Sequence, residues 1–221
     1  AQLSNCTDNF LILESRKLIS NAFKGQSWVG LVSISDILSG LAEMNPLVYL
    51  DSLEELIRSK PCEIEKLFPQ KQDRALVDQN FISSILFTLE ELAWDENYIV
   101  QCIRCLGELE NLTYEKTNWV NTPINTIANI LIPFLPQTCA PIEKQKNAVQ
   151  ALKVEDKELY WTVLTKLLPK EGPVTIPGTA RPQYMEIDIP EELSISNEDR
   201  CNLFQHYIQE AISTAGSDSA K

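Results

Sequence analysis

Apolar residues recur at intervals of three and four along most of this chain, the spacing that puts them on one face of an α-helix. Phe10, Leu11, Leu13, Leu18, Ile19 and Phe23 can share the broad face of a first helix that stops near Gly25. Ser33 or Ser35 is placed to cap a second helix carrying Ile37, Leu38, Leu41 and Ala42. Asn45-Pro46 restarts the chain, because Asn suits the cap and Pro the first turn, and Val48, Tyr49, Leu53, Leu56 and Ile57 stripe a third helix ending before Pro61. Cys62 to Arg74 reads as a short connection with at most one helical turn, and helix resumes near Asp78.

In the second half Ile82, Ile85, Leu86, Leu89, Leu92 and Ala93 keep the helical period, and Asp95 is expected to cap a helix bearing Ile99, Cys102, Ile103, Leu106 and Leu109. Pro123 opens a short helix through Leu131, which Pro133 and Pro136 stop. Helices follow from Pro141 through Leu152 and along Leu159, Tyr160, Val163, Leu164 and Leu167, closed by Pro169. From Lys170 to Pro190 six Gly and Pro residues deny regular helix, so this segment is expected to run extended over the surface, anchored by Tyr184, Met185, Ile187 and Ile189. A last helix spans about Asn197 to Ala211 with Leu203, Phe204, Tyr207 and Ile208 on its stripe, and the tail after Thr214 should fray.

Three stretches overlay: Leu41 to Leu53, Leu92 to Arg104 and Leu152 to Leu164, each a helix end, a corner and a second apolar helix. Their spacing of roughly fifty to sixty residues exceeds the ~40–47 of HEAT and armadillo units. The expected fold is therefore all-α, with irregular HEAT-like stacked helix pairs, the alternative being a compact bundle. The expected organisation is a repeat-like domain over 1–169, the extended segment 170–190, a C-terminal helix over 191–214 and a disordered tail over 215–221.

Charge and cysteine usage narrow the function. A formal charge of −12 and a pI near 4.6 oppose a nucleic-acid or anionic-membrane surface. No apolar run is long enough to cross a bilayer. Six cysteines scattered through helical patterns suit reduced thiols in a cytoplasm. The opening Ala1-Gln2-Leu3, with no initiator Met, is expected of a piece cut from a longer protein.

Candidate chemistry is sparse. Cys102 and Cys105 form a C-x-x-C inside a helix pattern, without the second pair or the histidines a zinc site needs, and so read as core thiols. His206 is the single histidine. Glu54-Glu55, Glu90-Glu91 and Asp95-Glu96 point apart on a helix, and near caps they are expected to serve helix ends. Seven scattered glycines assemble no phosphate cradle. Neither catalytic residues nor a cofactor or metal site is assigned. Trp94, Tyr98, Trp119 and Trp161 sit at helix corners as core plugs or binding anchors, and Asn118, Asn121 and Asn125 flank Trp119 and Pro123 where Asn commonly bonds backbone.

Those corners carry a resemblance. Leu92, Ala93, Trp94, Asp95 and Tyr98, then Asn118, Trp119, Asn121, Pro123 and Asn125, then Pro133, Pro136, Gln137 and Thr138 form a motif string. The string is similar to L-A-W-D-x-x-Y, N-W-x-N-R-P-x-N-S-L and L-P-W-H-P-Q-T of a C-terminal helical region in large bacterial proteins with STAND-type NTPase modules, a class tied to antiphage defence. It covers Leu92 to about Pro169. Thr122 stands in place of the Arg, Thr126-Ile127 in place of Ser-Leu, and Phe134-Leu135 in place of Trp-His. The resemblance implies a non-catalytic segment for sensing or scaffolding, with Trp94, Asp95, Tyr98, Asn118, Trp119, Asn121 and Asn125 as candidate interaction or corner-fixing residues. Its expected partner is another protein or a neighbouring domain of a longer cytoplasmic chain. A stand-alone oligomerising helical protein is the second reading, and a small-molecule enzyme using the Asn-rich corner the third.

Overall fold

The computed structural model describes residues 8–68, 80–112, 120–169, 178–190 and 194–216. Their regular structure is helical: α1 (Asp8–Phe23), α2 (Trp28–Ser33), α3 (Leu38–Met44), α4 (Pro46–Arg58), α5 (Ser83–Leu92), α6 (Ile99–Glu110), α7 (Pro123–Ile130), α8 (Ile142–Glu155), α9 (Lys157–Leu167) and α10 (Asn197–Ala215). Short 3-10 turns cover Ser35–Ile37 and Glu63–Leu67. The described residues contain no strand, and no helix among them is long and apolar enough to cross a membrane.

Local chemistry sets the helix starts. The Asn45 side chain accepts from the Val48 N–H at 3.4 Å with Pro46 behind it, Thr122 accepts from Asn125 N ahead of α7, and Asp156 Oδ1 accepts from Glu158 N at 2.8 Å and Leu159 N at 3.0 Å. The first of these caps orients a stripe of Tyr49, Leu50, Leu53, Leu56 and Ile57 into the core. Asp95 works one turn earlier than expected. Its Oδ1 accepts from the N–H and Nδ2 of Asn97, both at 2.8 Å, and fixes the turn from which α6 starts at Ile99.

The helices stack in two rows. One holds α3, α5, α7 and α9, the other α4, α6, α8 and α10, each helix touching the next in its row, with the pairs α3–α4, α5–α6 and α8–α9 joined at the three corners that overlay in sequence. Polar rungs run along the second row between residues 50, 51 and 57 apart: Gln101 Nε2 to Asp51 Oδ1 at 3.1 Å, Arg104 Nε to Glu155 at 2.6 Å, and Lys153 Nζ to Glu210 at 2.8 Å. Arg58 also bridges from α4 to Glu108 of α6. The first two corners stack with the offset they show in sequence, α5 on α3 and α6 on α4, whereas the third does not follow the overlay, since α8 packs on α6 and α9 on α7; the fold is all-α with packed helix pairs.

Three expectations change. Of the apolar face assigned to α1, only Ile19 and Phe23 are buried, while Phe10 and Leu13 are 53 % exposed and Leu18 50 %, because among the described residues α1 packs chiefly on α4 and, to a lesser extent, on α3. The helix carrying Leu38, Leu41 and Ala42 is α3, which follows a 3-10 turn over Ser35–Ile37 and has no side-chain cap from Ser33 or Ser35, while Ser27 caps the separate short helix α2 that precedes it. Ser33 instead returns its hydroxyl to Val29 O at 2.8 Å. Helix is described only from Ser83, and the start expected near Asp78 lies outside the described residues, as does the tail 217–221. α10 continues to Ala215.

Candidate functional site

The most densely bonded polar site is where segment 178–190 crosses α3 and α5. α3 contributes Glu43 and α5 contributes Glu90 and Glu91, all three buried. Both carboxylate oxygens of Glu43 accept from Gln183 N at 3.0 Å, and its Oε2 also accepts from Tyr184 N and, at 2.9 Å, from Met185 N. Three successive backbone N–H groups therefore converge on one carboxylate, an arrangement of the nest type. Glu90 Oε2 accepts from Ala180 N at 2.9 Å, and the carboxylate also bonds the Thr126 side chain. Burial pushes Glu90 up to about 7, with the Ala180 amide opposing and the neighbouring Glu91 charge adding to the rise. Burial likewise raises Glu91, which accepts from Ser39 Oγ at 2.6 Å and feels Glu43.

Trp94 completes the grip. The ring is fully buried, its Nε1 donates to Ala180 O at 2.8 Å, and the Arg181 guanidinium lies 5.1 Å from its centroid. Ala180 is thus held through both backbone groups. The rest of the segment is narrow: Ile187 N donates to Met185 O at 2.9 Å and Ile189 N to Ile187 O at 3.0 Å, with Met185 packed on the core and Ile187 and Ile189 half-buried. Tyr184 is no anchor; it is 76 % exposed, because the Glu43 bonds turn the backbone, not the phenol, toward the protein. Glu90 and Glu91 do point apart, as their adjacency requires, yet they serve the crossing segment and Ser39 and not a helix end.

The motif string partly converges here. Thr138 Oγ1 donates to Ala93 O at 2.6 Å and Cys139 N to Trp94 O at 3.0 Å, so the first and third blocks meet at the α5–α6 corner. Asp95 and half-buried Tyr98 shape that corner, and burial, helped by Asp95, raises the Tyr98 phenol. Asn125 Nδ2 donates to Val120 O at 2.7 Å and its Oδ1 accepts from Lys166 Nζ at 2.9 Å, which ties the start of α7 to α9. Asn121 is half-buried in that turn, whereas Asn118 and Trp119 lie outside the described residues.

Other candidates are sequestered or apart. Cys102 and Cys105 are fully buried in α6, and burial drives both thiols well above their ordinary range. His206 is half-buried against Tyr207, its imidazole lowered chiefly by burial. Among the described residues no group of three or more His, Cys, Asp or Glu is arranged for a metal ion. Glu43 was not singled out in the sequence, although a carboxylate inside the Leu38, Leu41, Ala42 stripe is the available signal: a charge on a buried helix face needs a partner. What the arrangement does chemically is hold extended backbone by its amide protons. Comparison with protein-family models, with curated proteins and with solved structures finds no match to this chain.

Proposed function

We propose that this chain is a non-catalytic helical interaction module, the sensing or scaffolding region of a larger bacterial cytoplasmic protein whose partner is another protein or an attached NTPase module. The observation that carries the reading is the grip of Glu43 on three consecutive amides of segment 178–190. A stacked helical array binding an extended segment by its backbone is the recognition mode of repeat scaffolds, with one segment of the chain as the internal ligand. The perturbed groups are spent inside: Glu90 is 4 % exposed beneath Ala180, and the Cys102 and Cys105 thiols face the core. The NTPase link rests on the motif string, whose first and third blocks build the corner that receives the segment.

Reading the open frame on both sides of these codons tests the link: a phosphate-binding loop in frame supports it, and a frame without one removes it. Capture from bacterial lysate with the chain as bait tests the module, which fails if no protein is retained in stoichiometric amount. The exposed Phe10, Leu13 and Leu18 on α1 favour a second reading, an oligomerising helical protein. Sedimentation across concentration separates the two.

A further inference from the structure

The segment that crosses α3 and α5 adds no residue to the core. Every residue from Gly178 to Pro190 is exposed or half-buried, while Trp94 and the Glu43, Glu90 and Glu91 side chains beneath it are buried. Its bonds to Glu43, Glu90 and Trp94 are all made by its backbone: the amides of Ala180, Gln183, Tyr184 and Met185 donate, and the Ala180 carbonyl accepts. Its side chains add the Arg181 guanidinium over the Trp94 ring, a long contact of Thr179 Oγ1 to Gln137 at 3.5 Å, and the half-buried alternation of Met185, Ile187 and Ile189. Bonds to backbone do not read side-chain identity, and alternate apolar residues are a loose requirement. The same surface therefore fits any extended chain with a cation, then three consecutive free amides starting two residues on, then apolar side chains at every second position.

Charge says which chain would fit better. The segment presents Glu186 and Asp188 to solvent against one cation, Arg181, and it lies on a protein whose formal charge is −12. Its outward acids thus sit in a field of their own sign, which an outward lysine or arginine would find attractive. We propose that this surface is a peptide-binding site which segment 178–190 occupies in competition, and that its partner is a basic extended segment of another protein, with lysine or arginine at the positions of Arg181, Glu186 and Asp188. The inference rests on the interaction-module reading and supplies that reading with a surface and a means of regulation, since the partner binds by displacing the chain's own segment. As a tethered competitor that segment acts at an effective concentration on the order of millimolar. Weakening the tethered copy is therefore what exposes the site.

The probe is a fluorescein-labelled peptide of residues 178–190 carrying Glu186→Lys and Asp188→Lys, titrated with the full chain at fixed ionic strength and followed by fluorescence anisotropy. Weak saturable binding to the parent is expected, and about tenfold tighter binding to Met185→Pro, which takes one of the three amides from the tethered segment and leaves the site intact. Adding Glu43→Gln to Met185→Pro should abolish that gain. A lysine peptide N-methylated at the three amides that Glu43 accepts should not bind, which separates amide recognition from attraction between a cation and an acidic protein. Arg181→Ala, which removes the guanidinium from the Trp94 ring, provides the reading if the proline variant fails to fold. No saturable binding to Met185→Pro or to Arg181→Ala, or equal binding of the methylated peptide, would overturn the proposal and make the segment a fixed part of the fold. Tighter binding of the unsubstituted peptide than of the lysine peptide would also overturn it, and would assign the site to the segment of a second copy. Lysate capture distinguishes this failure from that of the module itself: a protein retained equally by the parent, Met185→Pro and the double variant leaves the module standing and places its binding surface elsewhere.

Discussion

Glu43 and Glu90 hold the same segment by the same kind of bond, yet they differ in how the charge is compensated. Glu43 gathers three amides, whereas Glu90 has one amide and one hydroxyl beside a second carboxylate. Glu43→Ala strands those three N–H groups and should cost about 2–4 kcal/mol in urea unfolding, with new thermolysin cleavage before Met185, Ile187 or Ile189. An unchanged midpoint and cleavage pattern would show that the carboxylate is not what holds the segment. Glu90 makes a pH prediction. Its folded value of about 7 lies above the ordinary 4.5, so between those limits the folded chain keeps a proton that the unfolded chain has released. Its contribution to stability is therefore greatest below pH 4.5, falls as pH rises toward 7 and is level above. Relative to the parent, Glu90→Gln should gain up to about 3 kcal/mol between pH 4.5 and 8 in unfolding measurements. Parallel stability curves would refute the assignment.

At the scale of the element, the segment 178–190 should behave as one unit, because Trp94 and Glu43 hold it at points a few residues apart. Trp94→Phe removes the Nε1–H bond, leaves Ala180 O unpaired and should cost about 1–2 kcal/mol. Combined with Glu43→Ala it should cost less than the sum, since whichever change releases the segment first removes what the other could still break. Strict additivity would mean that the two anchors hold independent pieces. The same segment marks the limit of what is legible in sequence. The stripes of α4, α6, α8 and α9 could be read because Asn45-Pro46 and the three-and-four spacing act within a few residues. While 170–177 of the expected extended segment lie outside the described residues, the lack of helix over 178–190 was equally local, a matter of Pro and Gly. Its partners were not, since Ala180 and Met185 bond carboxylates 90 and 142 residues away, and nothing near Glu43 says which amides it will meet. The face of α1 failed for the related reason that burial is decided by what lies opposite. The Ser27 cap escaped notice because a six-residue helix has too few turns to show a period.

For the whole molecule, the open question between an array and a bundle becomes one of cooperativity. In an array each helix pair touches only its neighbours, so stability is nearly a sum of local terms and parts can open separately. The contact most suited to probing this is between α6 and α8, where Gly107 lets the helices approach: a Cβ there would meet Leu152 Cδ2 at 2.7 Å and Leu159 Cδ2 at 3.2 Å. Alanine can be accommodated by a shift of two flexible leucine ends, with its helix propensity offsetting the crowding. Gly107→Val cannot, because two further methyls enter a filled interface, and it should cost about 1–3 kcal/mol. Hydrogen exchange then reports how that cost spreads. For stacked pairs, amides in α8, α9 and α10 should lose protection while those in α3, α4 and α5 keep most of theirs, and α1, which buries only Ile19 and Phe23 of its apolar face, should be the least protected helix before and after the change. A uniform loss across every slow amide would mean that the described helices unfold as one cooperative bundle, and the rungs from Asp51 to Gln101 and from Arg104 to Glu155 would then be surface pairs within a single core, not joints between repeating units.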